Sequence, residues 1–266
     1  MITKKYLIIG NPVSHSLSPL IHNYWFQKYK LDAVYEKKEV KENELKNIIK
    51  NIKDEKIFGA NVTVPFKQTI IPYLDELSEL SNKTQSVNTI YKKNNLIIGD
   101  NTDMYGFAQS ILKQNYHLQD KKALILGAGG VVPSIIEALE YLSVKKIFIM
   151  NRTIEKVEKI KKIYPNIKTL KWGEIENFDI IINATSVGLK KDDKLDMDFS
   201  KFKGKNFFYD TIYNPAITDF IKRAKINNCF YTNGLFMLIY QAQKSFEYWN
   251  DILPEVDDKL IQLLNK

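Results

Sequence analysis

One stretch constrains this chain more than any other: "KKALILGAGGVVPSIIEALEYL", residues 121–142. A short apolar run ends in glycines, and Ile135, Ile136, Leu139 and Leu142 then recur at helical spacing. Strand, glycine turn and helix in that order form the fingerprint of a dinucleotide site. Gly127 permits the tight turn, and Gly129 lets the backbone approach a pyrophosphate; the helix N-terminus adds N–H groups and a positive dipole end. The third small position of the fingerprint is taken by Val132, which predicts a wider helix–strand spacing than Gly or Ala gives; Pro133 fits because it falls in the first helical turn.

Further near-continuous apolar strands are predicted over 145–153, 167–172, 178–185, 206–213 and 229–234. Such strands alternating with helices imply a parallel, doubly wound sheet, hence an α/β fold. The strand after the glycine turn selects the cofactor. An NAD site places an acid roughly twenty residues past the first glycine. Here that place holds Asn151, Arg152 and Thr153, with Lys156 one helical turn further on. A guanidinium suits the 2′-phosphate of NADP, and the other reading of Arg152 is a surface residue after a strand.

The first hundred residues form a second α/β pattern. Strands are predicted over 4–10, 33–40 and 57–64, with a hairpin over 86–103 turning at "KKNN". Helices are predicted over 18–29, 42–52, 67–81 and 105–115, and the stretch 235–266 is helical. At 266 residues, two modest domains are expected. No apolar run approaches the roughly 18 residues of a membrane span, and the N-terminus has no signal-like apolar core. The net charge of +8 is spread along the chain instead of forming the basic face that nucleic-acid binding needs. The single Cys229 fits a reduced cytoplasm. His15, His22 and His117 are the only histidines, and no metal-ligand spacing appears, so no metal site is expected. Proton transfer therefore falls to Lys, Asp, Tyr or a lone His.

Four short segments offer such groups. In "GANVTVPFK" (59–67), Asn61 and Thr63 alternate with Val62 and Val64 as on a half-buried strand, and Pro65 ends it. Lys67 then stands at the strand's mouth, as a solvated surface residue or as part of a site. "NPVSHSLSP" (11–19) crowds Ser14, Ser16 and Ser18 into a loop; Ser18 before Pro19 reads as a helix cap, and His15 as structural. "VNT" (87–89) and "GDNTD" (99–103) bring Asn88 and Asp103, residue types that turns favour equally well.

The combination is specific. "SHSLSP", "NVTVPFK", "VNT", "GDNTD", "GAGG", "NRT", "NATSVGL", "DTIYNP" and "NGLFMLIYQA" with "FEYW" follow in this order. Over essentially the whole length the chain resembles the shikimate dehydrogenase family. The resemblance implies a substrate domain of residues 1–103 plus 235–266, with the C-terminal helices packed back on it, and a Rossmann NADP-binding domain of 104–234. It further implies that Ser14 and Ser16 hold the substrate carboxylate. Asn61, Thr63, Asn88, Asp103, Tyr213 and Gln241 would contact the ring or its hydroxyls. Lys67 and Asp103 would form the acid–base pair, while Gly127 to Val131, Asn151 to Lys156, Thr211 and Gly234 would line the dinucleotide. The implied partner is a small molecule, and the implied assembly a monomer or homodimer. Three other readings stand beside it: a quinate/shikimate dehydrogenase with broader cofactor use, a two-domain dehydrogenase acting on amino acids or folates, and a catalytically silent dinucleotide sensor. The Lys67/Asp103 and Ser14/Ser16 sets argue against the last two.

Overall fold

The computed structural model describes residues 3–190 and 192–265. Two compact units emerge, residues 1–106 with 238–266 and residues 107–237.

The first unit is built on β1 (Lys4–Gly10), α1 (Ser18–Lys28), β2 (Ala33–Glu39), α2 (Leu45–Lys53), β3 (Gly59–Val62), β4 (Glu76–Leu77), α3 (Glu79–Thr84), β5 (Thr89–Lys93) and β6 (Leu96–Asp100). They form a six-stranded mixed sheet in the order β2-β1-β3-β5-β6-β4, where β3–β5 and β5–β6 are antiparallel and the other pairs parallel. The β5–β6 turn is made by Asn94 and Asn95, both at positive φ (49° and 66°), which asparagine tolerates well. Leu45, Ile48, Ile49 and Ile52 lie on one face of α2 and bury against β-strand residues such as Leu7, Ile9 and Val62. On the other side lies an aromatic layer of Tyr6, His22, Trp25, Phe26 and Tyr35 with Phe246 and Trp249 of a late helix. Gly59 allows that helix close: a Cβ there would stand 2.3 Å from Trp249 Nε1, which donates to Ile90 O at 3.0 Å.

The structure corrects three local expectations. Residues 67–81 are not one helix. Pro72 lacks the N–H a helix interior needs, the Asp75 carboxylate accepts from Ile97 N at 2.8 Å, and Glu76–Leu77 pair with β6. A helix starts only at Glu79, capped by the Ser78 hydroxyl accepting from Ser81 N. Second, β3 is buried along its whole length and ends at Val62, so Asn61 is an interior residue and Val64, 66% exposed, is not part of the strand. Third, Ser18 does not cap α1; the Ser16 hydroxyl accepts from Ser18 N instead, at 3.2 Å.

The second unit opens with α4 (Asp103–Lys113), which starts in the first, and continues through β7 (Lys122–Leu126), α5 (Val132–Tyr141), β8 (Lys146–Met150), α6 (Ile154–Ile163), β9 (Lys168–Leu170), β10 (Ile180–Asn183), β11 (Phe207–Asp210), α7 (Asp219–Ile226) and β12 (Phe230–Thr232). All six strands are parallel, in the order β12-β11-β10-β7-β8-β9. That is the doubly wound order of a Rossmann fold, whose crevice opens where the order reverses, between β7 and β10. Val132 is fully buried at the start of α5. Two last helices, α8 (Leu235–Asn250) and α9 (Asp258–Leu264), return the chain to the first unit. There Trp25 Nε1 donates to Glu255 O, and Lys28 pairs with Glu255 and Asp257.

Candidate active site

In the first unit the carboxyl ends of β1, β3 and β6 share one edge of the sheet. The loops leaving them are stitched together, with Asn11 N donating to Val64 O at 3.0 Å and Val87 N to Lys67 O at 2.8 Å. The second bond fastens the Lys67 backbone to the segment entering β5, which carries Asn88, and the Lys67 side chain is only 18% exposed.

Lys67 Nζ donates to Asp103 Oδ2 at 2.5 Å. The other carboxylate oxygen, Oδ1, accepts from Asn88 Nδ2 at 2.9 Å, and Asp103 N donates to Asn101 Oδ1 at 3.0 Å. Both oxygens of Asp103 are thus used as acceptors, which fits a carboxylate that orients an ammonium. Gln241, from α8, brings its Oε1 to 3.4 Å from Asn88 Nδ2. Lys67, Asp103, Asn88 and Gln241 therefore form one cluster.

Asn61 joins it from below. Its Nδ2 reaches Asn88 O (3.0 Å), Thr89 Oγ1 (3.1 Å) and Ser245 Oγ (3.0 Å), and its Oδ1 accepts from the Tyr35 hydroxyl at 2.7 Å. Both amide hydrogens are engaged inside the protein, so Asn61 acts here as a support. Beneath it, fully buried His22 stacks on Tyr35 with centroids 4.3 Å apart, and burial pushes its imidazole down to about 3. The serines stand on the β1–α1 loop. Ser14 is exposed and its carbonyl accepts from Lys37 Nζ at 2.5 Å, while Ser16 hydrogen-bonds Ser18. Thr63 is half-buried beside Gly10, whose hypothetical Cβ would meet Thr63 Cγ2 at 2.4 Å.

In the second unit the glycine turn has the form its sequence predicts. Gly127 sits at φ +110°, and a Cβ there would meet Ala184 O at 2.8 Å, whereas nothing lies within 4 Å of one at Gly130. The turn is tight on the sheet side and open on the other, with Gly129, Gly130 and Val131 leading into α5. Asn151, with Nδ2 donating to Thr153 O at 2.8 Å, shapes the turn after β8. Arg152, Thr153 and Lys156 are exposed there. Ala128 is half-buried. Thr211 Oγ1 donates to Asn183 O at 2.9 Å, and Gly234 N donates to Ile212 O at 3.1 Å. A Cβ at Gly234 would overlap the Thr211 carbonyl, only 2.1 Å away. Tyr213, half-buried, follows in the same β11 loop.

Among the described residues no group of three or more His, Cys, Asp or Glu could hold a metal ion, and no helix is long and apolar enough to cross a membrane. The description "Shikimate dehydrogenase substrate binding domain" matches residues 8–90, and "Shikimate / quinate 5-dehydrogenase" matches residues 107–215. A Pelagibacter ubique protein named shikimate dehydrogenase (NADP(+)) is 54% identical over 98% of this chain and 99% of its own. The chain belongs to the shikimate dehydrogenase family. The crystal structure of shikimate dehydrogenase from Aquifex aeolicus superposes with a TM-score of 0.92 at 35% identity, covering all of both chains. A shikimate dehydrogenase solved in complex with NADP+ gives 0.93 at 33% identity, covering 99% of this chain and 95% of that one.

Within the shikimate dehydrogenase frame, several groups that sequence reading passed over take part. Thr89 and Thr102 lie inside "VNT" and "GDNTD", where they look like turn residues, and Ser245 lies on a helix face with no local signal at all. All three are buried against Asn88 or Asn61. Asp210, at the end of β11, was likewise passed over. It accepts from Thr218 Oγ1 (2.6 Å), Asn183 Nδ2 (3.1 Å) and Ile212 N (3.0 Å), fastening the loop that carries Thr211 and Tyr213. Desolvation nevertheless raises its carboxyl to about 6.

Proposed function

We propose that this protein catalyses the reversible NADP-dependent interconversion of shikimate and 3-dehydroshikimate, with Lys67 and Asp103 as the acid–base pair. The observation that carries the reading is the Lys67 ammonium held on Asp103 at the edge of the first unit's sheet. That unit is the substrate domain, and the parallel sheet is the cofactor domain. The open Gly127–Val131 turn and the exposed Arg152 and Lys156 fit a phosphorylated dinucleotide. NADPH, when bound, supplies the hydride.

The residues of this chain do the rest. Ser14 and Ser16 hold the substrate carboxylate. Asn88, Thr63, Gln241 and Tyr213 meet the ring and its hydroxyls, above the support that Asn61 gives. Lys67 gives its proton to the ketone oxygen as the alcohol forms, and its positive charge favours the developing alkoxide. In the oxidative direction it takes the hydroxyl proton back. Asp103 orients the ammonium throughout. Thr211 and Gly234 close the dinucleotide's path along β11. The enzyme works in the cytoplasm on a small-molecule substrate, as a monomer or homodimer.

The test is NADP reduction by shikimate, with quinate and NAD as controls, in wild type and Lys67→Ala. The variant is expected to lose roughly 10²–10⁴-fold in kcat, the usual scale of general acid–base catalysis. A wild type inert to shikimate but active on quinate, or a Lys67→Ala variant of normal kcat, would refute the assignment.

A further inference from the structure

We propose that Thr89 and Ser245 are positioning residues: their buried hydroxyls complete a one-way chain of hydrogen-bond donors that fixes the Asn88 amide and, through it, the Asp103 carboxylate. The inference rests on the reading of Lys67 and Asp103 as the acid–base pair.

The chain is read from its end. Thr102 N, a backbone group that can only donate, lies 2.7 Å from the Asn88 side-chain atom assigned as Oδ1. That fixes which way the amide faces, so Nδ2 is the atom presented to Asp103 Oδ1 at 2.9 Å. Reversed, the amide would set oxygen against the Asp103 carboxylate oxygen and its NH2 against the Thr102 N–H, donor against donor. The backbone bond sets the identity of the atoms but leaves one lone pair of Oδ1 free. Two hydroxyls reach it, Thr89 Oγ1 at 3.1 Å and Thr102 Oγ1 at 3.2 Å; Thr102 Oγ1 also lies 3.0 Å from Asn88 Nδ2 and accepts there, which leaves Thr89 as the donor to Oδ1.

A hydroxyl has one hydrogen and two lone pairs. If Thr89 gives its hydrogen to Asn88, its short 2.7 Å contact with Ser245 Oγ needs Ser245 as donor. Ser245 can supply it. Its other possible acceptors lie farther off: Thr102 Oγ1 at 3.2 Å, and Gln241 O at 3.0 Å, the i−4 carbonyl of the same helix, which the Ser245 backbone N–H already serves. Asn61 Nδ2 then donates to Ser245 Oγ at 3.0 Å, and the Tyr35 hydroxyl to Asn61 Oδ1 at 2.7 Å. Every donor from Tyr35 through Asn61, Ser245, Thr89 and Asn88 points toward the one negative charge at the end, an arrangement in which successive bonds polarise one another. Thr89 and Ser245 are both fully buried, so no solvent hydroxyl can take their place. The consequence at the site is a division of labour on Asp103: Oδ1 is held by Asn88, and Oδ2 is left for Lys67.

The experiment compares kcat and KM for shikimate at saturating NADP in wild type, Thr89→Val, Thr89→Ser, Ser245→Ala and Lys67→Ala, each checked by thermal melting. Valine keeps the shape of threonine and removes the hydroxyl. Thr89→Val is expected to lower kcat roughly tenfold while KM moves less than about twofold, because a misplaced catalytic group costs rate more than binding. Thr89→Ser restores most of kcat, and Ser245→Ala lowers kcat several-fold. Normal kcat in both Thr89→Val and Ser245→Ala overturns the proposal. So does an equal loss in Thr89→Ser and Thr89→Val, which would make the methyl group responsible. If Thr89→Val does not fold, the kcat of Ser245→Ala decides alone. Lys67→Ala separates the acid–base pair from the donor chain: its full activity defeats the acid–base assignment itself, whereas its inactivity beside normal kcat in both Thr89→Val and Ser245→Ala defeats only the donor chain.

Discussion

Lowering the pH should loosen the first unit through one residue, His22. Its ring is fully buried between Tyr35 and the Trp25, Phe246 and Trp249 side chains, and neither ring nitrogen has a hydrogen-bond partner among the described residues. Desolvation lowers its value from 6.5 to about 3, with a smaller opposing effect from Asn61. In the unfolded chain the imidazole titrates near 6.5. Between 6.5 and 3 the unfolded state therefore binds the extra proton, and stability falls as the pH falls. Each pH unit of this imbalance is worth about 1.36 kcal/mol. From pH 6.5 to 4.5, allowing for half-protonation at the start, the loss comes to roughly 2 kcal/mol. Other groups titrate over the same range, so the quantity to read is a difference. Urea unfolding followed by tryptophan fluorescence at pH 6.5 and 4.5, in wild type and His22→Phe, isolates it. The wild type should lose about 2 kcal/mol more than the variant, whatever their relative stability at pH 6.5. Parallel losses in the two proteins would show that His22 accepts a proton in the folded state, and the account of the buried ring would fall.

Three further outcomes are expected. If exposed Arg152 holds the NADP phosphate as proposed, Arg152→Ala should weaken NADP on the order of tenfold and leave NAD use unchanged; the ratio of kcat/KM for the two cofactors measures it. Gly234→Ala drives a methyl into the Thr211 carbonyl, so the junction of β12 and α8 must shift, at a cost of about 1–3 kcal/mol, and NADPH titration should show weaker binding alongside a lower melting temperature. Asp210 should work against His22. Its carboxyl is raised by desolvation from 3.8 to about 6, so the folded state holds the proton more tightly and stability is lost as pH rises through that window. Asp210→Asn should abolish that loss, about 3 kcal/mol, in a pH series of unfolding curves.

Legibility from sequence followed the range over which each feature is decided. The glycine turn could be read because Gly127 needs positive φ within one strand–helix junction, a local demand. The apolar stripe of α2 and the Asn94–Asn95 hairpin turn are equally local. Lys67 and Asp103 could be picked out as a pair only through the ordered motifs of a family; 36 residues of chain separate them, and no periodicity joins them. The false helix over 67–81 arose because its apolar spacing ignores Asp75, whose carboxylate serves Ile97 N on another strand. The alternation of Asn61 and Thr63 with Val62 and Val64 suggested a half-buried strand, because alternation marks faces but cannot tell a solvent face from a covered one; β3 is buried along its whole length. Ser245 was invisible for the same reason: its partners Asn61 and Thr89 lie 184 and 156 residues away.

The return of α8 to the first unit has a consequence for synthesis. The residues that begin the protein's first sheet leave the ribosome earliest, yet the layer over Tyr6, His22 and Trp25 lacks Phe246 and Trp249 until the whole second unit has been made. The second unit is contiguous, so it can complete its core while the first still waits, reversing the usual order in which domains mature during translation. Until α8 arrives, Gly59 and Ile90 face the nascent chain uncovered, and Asn61 lacks the serine that helps hold it. The cluster of Lys67, Asp103 and Asn88 therefore gains Gln241 and Ser245 among the last events of biogenesis, so a chain released before α8 would carry a complete parallel-sheet unit and a first unit without those two partners.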